Sequence, residues 1–139
     1  MNPKTRETMA SFGLLLLRAG SGALLLYGHG WSKLVHFSER AARFSDPLHV
    51  GAPASLALVV FAEVFCSAAV VLGLFTRLAV IPLIVFFAVA IFINNPHGSF
   101  DDKELAMAYA IPFVALLFTG GGRFELGGWL GGKLGGGKG

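Results

Sequence analysis

Cysteine and charge are both scarce in this sequence. Cys66 is the one cysteine among 139 residues, so the chain forms neither an internal disulfide nor an internal Cys-x-x-Cys pair. Dithiol chemistry would therefore need a partner protein. Charged residues make up 14% of the chain, too few to cover a soluble domain. The net charge of +3 is scattered without a basic stripe, which excludes a typical nucleic-acid-binding protein.

Apolar residues dominate instead. They make up 55% of the chain, and the mean hydropathy is +0.70. Several apolar runs approach the ~20 residues that cross a bilayer core, which predicts an all-α, membrane-embedded four-helix bundle surrounded by lipid. The predicted organisation is a cytoplasmic lead-in (1–10), spans over about 11–30, 54–74, 77–94 and 103–119, and a loosely held glycine-rich tail (120–139).

The connection after the first span, residues 31–50, has an amphipathic pattern. Basic residues alternate there with apolar residues at near-helical spacing, namely Trp31, Leu34, Phe37, Ala41 and Phe44. This pattern predicts an interfacial helix along the membrane surface. An ordinary surface loop is the alternative interpretation.

The distribution of Lys and Arg predicts an orientation. With four spans, both termini lie on the same side of the membrane. Six basic residues fall on that side, against four on the other. By the positive-inside rule, both termini are predicted to be cytoplasmic in a bacterial inner membrane.

Arg18 lies inside the first predicted span, where a charge is costly unless it is paired. Arg18, Gly22, Leu25 and His29 share one helix face, because eleven steps of about 100° return to within roughly 20° of the starting direction. The small residues around Gly22 predict close helix approach. Glu63 lies at a similar predicted depth in the second span. The sequence therefore predicts a structural Arg18–Glu63 ion pair, with a direct part in binding or catalysis as the alternative.

A second group of polar residues gathers at the outer ends of the predicted spans, and includes His29, His97 and Glu104. The simplest interpretation is that these groups bond one another and cap helix ends. A metal held by these three residues is less favoured, and so is a haem, because the sequence has no Glu-x-x-His or Cys-x-x-Cys-His motif. A quinone is the third candidate, because its carbonyls need a few donors within an apolar, aromatic pocket.

Five short motifs occur in a fixed order along the chain. They are LRAG (17–20), HGWSKL (29–34), LGLFTR (72–77), HGSF (97–100) and GGGRF (120–124). Together with Glu63, their order and spacing resemble the DoxX family of small four-helix membrane proteins. The resemblance covers roughly Ser11 to Leu126.

The resemblance implies a role beside redox or sulfur-handling proteins, since the family is named after a subunit associated with thiosulfate:quinone oxidoreductase. It also implies six recurrent polar positions, which are ligand-binding candidates: Arg18, His29, Lys33, Glu63, His97 and Glu104. We therefore expect a membrane subunit of a redox process that binds a quinone or similar apolar ligand and needs a redox partner protein. If the chain takes part in catalysis, it does so as an oxidoreductase subunit.

Two other functions stay open at this point. One is a non-catalytic membrane anchor or assembly subunit of a larger complex. A homo-oligomer is one form that such a complex can take. The other is a small transporter or proton path that uses Arg18 and Glu63.

Overall fold

The computed structural model describes residues 1–127, and this part of the chain is helical without strands. Five helices run through it: α1 (Pro3–Val35), α2 (Phe37–Arg40), α3 (Ala52–Leu72), α4 (Thr76–Asn94) and α5 (Phe100–Thr119). Of these, α1, α3 and α4 are long and apolar enough to cross a membrane. The predicted all-α class is confirmed.

The four long helices pack side by side around an aliphatic and aromatic core. Its least accessible apolar members include Leu25, Val70, Leu83, Phe113 and Leu116. The outer surface is apolar as well, with large side chains such as Phe92 and Phe118 more than 70% exposed. A protein that is apolar both inside and outside is suited to contact with lipid rather than water.

Most of the predicted lead-in and the first part of the predicted tail have a defined structure. α1 begins at Pro3, so most of the predicted lead-in (1–10) is helical. The first part of the predicted tail is held against the bundle, where the Gly127 N–H donates to the Gly73 carbonyl at 2.9 Å. The expectation of a loosely held tail over 120–139 stays a prediction, and residues 128–139 lie outside the described residues.

The first connection contains less helix than its amphipathic pattern predicts. α1 continues to Val35, and α2 adds one turn before irregular turns lead to Gly51. Four of the five apolar residues of the pattern pack onto Leu56, Val60 and Val64 of α3, namely Leu34, Phe37, Ala41 and Phe44, whereas Trp31 is exposed. The apolar side of the connection thus contacts the protein itself. Its location at the membrane surface stays a prediction.

Asp46 fastens this connection to the beginning of α3. Its carboxylate accepts hydrogen bonds from the Ser55 hydroxyl at 2.7 Å, the Gly51 N–H at 2.8 Å and the Val50 N–H at 2.9 Å. The Ser55 hydrogen bond, helped by the two backbone N–H groups, holds the pKa of Asp46 below its usual value. The ionised side chain therefore stabilises the folded connection.

Two glycines allow α1 to approach α3 closely. A Cβ atom at Gly22 would lie 2.9 Å from the Ser67 carbonyl oxygen, and one at Gly30 would lie 2.7 Å from the Glu63 carbonyl oxygen. Both oxygens belong to the backbone, so relief would require α3 itself to move. The predicted close approach is confirmed at Gly22, whereas the position of Gly20 has open space around it.

Gly30→Ala is expected to lower the free energy of unfolding by roughly 1–3 kcal/mol, because the added methyl group overlaps the Glu63 backbone. Gly28→Ala is the matched control in the same turn, since no atom lies within 4 Å of its added methyl group. It should be neutral or stabilising. Thermal unfolding in detergent measures both, and equal melting temperatures for the two variants would contradict the prediction.

Asp46→Asn is expected to lower the melting temperature at pH 7. Because the pKa of Asp46 is depressed in the folded chain, its stabilisation is present above the unfolded value of about 3.9. That contribution is lost as the pH falls through the lower folded-state pKa. The difference between wild type and variant should therefore shrink below about pH 4. Asp101→Asn, at an exposed position, is the control, and a pH-independent difference for Asp46→Asn would argue against this role.

Candidate functional site

Arg18 is buried at the end of the bundle where α3 finishes and α4 begins, here called the Arg18 end. Its guanidinium donates to the carbonyls of Val71 at 2.6 Å, Val70 at 3.2 Å and Gly121 at 3.2 Å, and also to that of Phe124. The last carbonyls of a helix have no partner within the helix, and they form the negative end of its dipole. Arg18 therefore caps α3 and holds the segment after α5 against it.

The predicted Arg18–Glu63 ion pair is not formed. Glu63 is instead paired with Lys33, whose Nζ lies 2.7 Å from Oε2 and 2.9 Å from Oε1. Glu63 precedes Val70 by seven residues on α3, which is about 10 Å along the helix. The prediction also ended the first helix at Gly30, whereas α1 continues to Val35 and brings Lys33 level with Glu63.

Lys33 and Glu63 line a cavity of about 240 Å³ among the four long helices, at what we call the Lys33 end. His29 contributes an imidazole from α1, and its ring meets that of Tyr109 edge-on with centres 5.6 Å apart. Phe87 stacks on Tyr109, with ring centres 5.8 Å apart. The rest of the lining is Leu25, Phe86, Ala90, Asp102, Leu105 and Ala106. The cavity thus combines an ion pair and two polar rings with apolar walls.

Three π-helical turns contribute to this cavity, one on each of three helices. His29 lies in the first, Glu63 in the second and Ala90 in the third. The turns are Leu26–Gly30, Phe61–Cys66 and Val89–Asn94. Single π-helical turns within α-helices are frequent at functional sites. Their position supports the choice of this cavity as the candidate site.

Three of the six predicted ligand-binding residues lie elsewhere. His97 and Glu104 are exposed and do not line the cavity. Within residues 1–127, no three His, Cys, Asp or Glu side chains are grouped to hold a metal, so His29, His97 and Glu104 do not form such a set there. Arg18 is also remote from the cavity, since its partners lie at the opposite end of α3.

Asp102 and Tyr109 are cavity residues that the predicted set did not include. The sequence feature that indicates these residues is their spacing along α5. Asp102, Ala106 and Tyr109 follow one another at intervals of four and three residues. Such spacing places side chains on one helix face. The sequence alone does not indicate which face of α5 meets the other helices.

The profile of the DoxX family matches residues 13–96 of the chain, from α1 to the turn after α4. The chain belongs to the DoxX family. Together with its three long apolar helices, this membership identifies a membrane protein. No curated protein and no solved structure shows significant similarity to the chain. The matched range contains His29, Lys33 and Glu63, whereas Tyr109 lies beyond it.

Arg18→Met is expected to lower the free energy of unfolding by on the order of 3 kcal/mol, because it removes the donor to the Val71, Gly121 and Phe124 carbonyls. It should also release the segment after α5, so that trypsin cuts after Arg123 more rapidly. Melting temperature and timed digestion followed by mass spectrometry measure the two effects. Arg6→Met, at an exposed position of the same helix, is the control. Unchanged cleavage after Arg123 in Arg18→Met would show that these contacts do not hold the segment.

Proposed function

We propose that the chain is a four-span protein of the bacterial cytoplasmic membrane, with α5 as its fourth span. α5 packs along both α1 and α4, so it shares their depth in the bilayer. Its charged residues are confined to the first turns, before Leu105, where they can reach the membrane surface. Four spans return both termini to one side, and the Lys and Arg distribution favours the cytoplasm for that side.

The cavity at the Lys33 end is the proposed binding site for the ring of a quinone, or of a similar flat apolar molecule with oxygen acceptors. The observation that carries this proposal is the combination of a buried ion pair, an imidazole and a phenol with phenylalanine walls. Sites for small molecules are mainly apolar with a few placed polar groups. The volume of about 240 Å³ suits a ring rather than an entire membrane lipid.

Lys33 is the proposed donor to the ligand. An ammonium group has three N–H donors, and the two carboxylate oxygens of Glu63 accept from Lys33. One donor is left for a ligand oxygen, while Glu63 holds the ammonium in place. His29 and Tyr109 add a ring nitrogen and a hydroxyl group at the same cavity. A bound quinone would supply the capacity to accept electrons and protons, and these side chains bind and orient it.

The proposed biological role is that of a membrane subunit in a redox process. Electrons that come from thiols would have to be supplied by a partner protein, because the chain has one cysteine. Cys66 itself is buried among apolar residues of the core. The redox partner would therefore carry the thiol chemistry, and this chain would carry the site for the apolar ligand.

A non-catalytic anchor or assembly subunit is the second candidate. This role is favoured because both buried charges already have partners within the protein. Arg18 donates to backbone carbonyls, and Glu63 is paired with Lys33. A purely structural role requires no more than this. The two candidates differ in one measurable property, which is the binding of a ring compound at the cavity.

The test replaces the ion pair by apolar side chains of similar size in the double variant Lys33→Met/Glu63→Met. Such replacements often preserve stability, because they remove both charges together. Loss of a hydrogen bond from a charged donor is worth roughly 1.5–3 kcal/mol, so affinity for a short-chain benzoquinone should fall at least tenfold. Equilibrium binding in detergent measures the affinity, and melting temperature monitors the fold.

His29→Ala is the second variant, and it tests ligand binding at the cavity if the double variant unfolds. The matched controls are His97→Ala and Glu104→Gln, which remove exposed polar groups outside the cavity lining. Both controls should bind the benzoquinone as wild type does. Wild-type affinity in the folded double variant, or no binding by wild type, would reject the ligand site and favour the anchor role.

A further inference from the structure

A second cavity, of about 280 Å³, lies between α3 and α4 beneath the first connection. We call it the apolar groove. Leu58 and Val59 line it from α3, and Val85 and Val89 line it from α4. Both helices are long and apolar enough to cross a membrane. An opening between two such helices faces hydrocarbon chains rather than water.

The apolar groove and the cavity at the Lys33 end are adjacent. Phe86 and Ala90 line both of them, so their shared wall includes one aromatic ring and one methyl group. Phe86 is only half-buried, and its ring lies against that of Phe87 with centres 4.9 Å apart. A side-chain rotation of Phe86 is a small change compared with a movement of a helix. A ligand could therefore occupy both spaces at once.

The first connection forms a fixed cover over the apolar groove. The Ser45 hydroxyl donates to Asn94 Oδ1 at 2.6 Å, which fastens the connection to the end of α4. The Ser55 hydroxyl donates to Asp46 at 2.7 Å, which fastens it to the beginning of α3. Phe44, Pro47 and Leu48 of the connection line the groove between these attachments. The groove thus has defined walls on three sides.

We propose that the apolar groove holds the hydrocarbon tail of the same ligand whose ring occupies the cavity at the Lys33 end. This inference rests on the proposed function. It commits to one ligand class, a membrane lipid with a ring as its head and an alkyl or isoprenoid chain as its tail. The bilayer is as apolar as the groove, so burial from water does not draw the tail in. Close packing against the fixed walls, together with attachment to the bound ring, holds it there.

The experiment locates the tail by covalent labelling. The full chain is placed in phosphatidylcholine vesicles with a fully substituted benzoquinone whose decyl chain ends in a diazirine. After illumination, labelled residues are identified by mass spectrometry, with and without an excess of the same ring that carries a methyl group instead of the chain. We call this methyl-bearing competitor the short ring. Labelling that an excess of the short ring suppresses is the specific signal. It is expected within residues 44–48, 58–62 and 85–89, where the lining of the groove is concentrated.

Val85→Trp fills the apolar groove without changing the cavity at the Lys33 end, because Val85 lines the groove and does not line that cavity. It should reduce the specific labelling of these ranges at least fivefold, while affinity for the short ring stays unchanged. Ile81→Trp is the matched control, an exposed residue of the same helix that does not line the groove. Leu58→Trp, from the α3 side of the groove, is the second variant if Val85→Trp lowers the melting temperature.

Three outcomes would overturn the inference. Specific labelling on the lipid-facing surfaces of α1 or α5 would show that the tail lies outside the groove. The proposed ring site would not be contradicted by this result. Groove labelling that the short ring does not suppress shows that an ordinary lipid chain fills the groove. The absence of any suppressible labelling contradicts ring binding, and the proposed function then fails together with the inference.

Discussion

Two charges buried among apolar helices, those of Arg18 and Glu63, must each have a partner, and much of the packing follows from this need. An unpaired charge at either position would cost several kcal/mol. Arg18 finds backbone carbonyls at the end of α3, and Glu63 finds Lys33. Both contacts join α1 to α3, so they fix the relative register of these helices at two levels. A glycine lies within one turn of each basic residue, Gly22 after Arg18 and Gly30 before Lys33, and lets the helices come within reach.

The two buried groups have different capacities for further binding. The guanidinium of Arg18 has four carbonyl contacts for its five N–H donors, and the acceptors belong to the backbone. It is therefore nearly saturated, and its role is to hold helix ends together. Lys33 has two contacts for three donors and lines a cavity. This difference supports a structural role for the Arg18 end and makes the Lys33 end the better candidate for the proposed ligand site.

The sequence predicted the helical class of the fold, and three of its six candidate residues line the cavity at the Lys33 end. Helical periodicity correctly placed Arg18, Gly22 and Leu25 on the buried face of α1. The partner of Arg18 could not be predicted, because backbone carbonyls leave no signal in residue type. Lys33 was assigned to the connection, because the first span was given only the ~20 residues that cross a bilayer core and so ended at Gly30. α1 instead continues to Val35, and Gly30 lies within it against the backbone of Glu63. Bilayer thickness sets the minimum length of a spanning helix and leaves its actual end undetermined.

The cavity at the Lys33 end is lined by bulky as well as small side chains. Its lining includes bulky residues such as Phe86, Phe87 and Tyr109, which would ordinarily fill the space between packed helices. The π-helical turns of α1, α3 and α4 offer a backbone explanation, because a π-helical turn contains an extra residue and is wider than an α-helical turn. Residues of these turns line both this cavity and the apolar groove, so the wide turns accompany the two spaces proposed for the ligand.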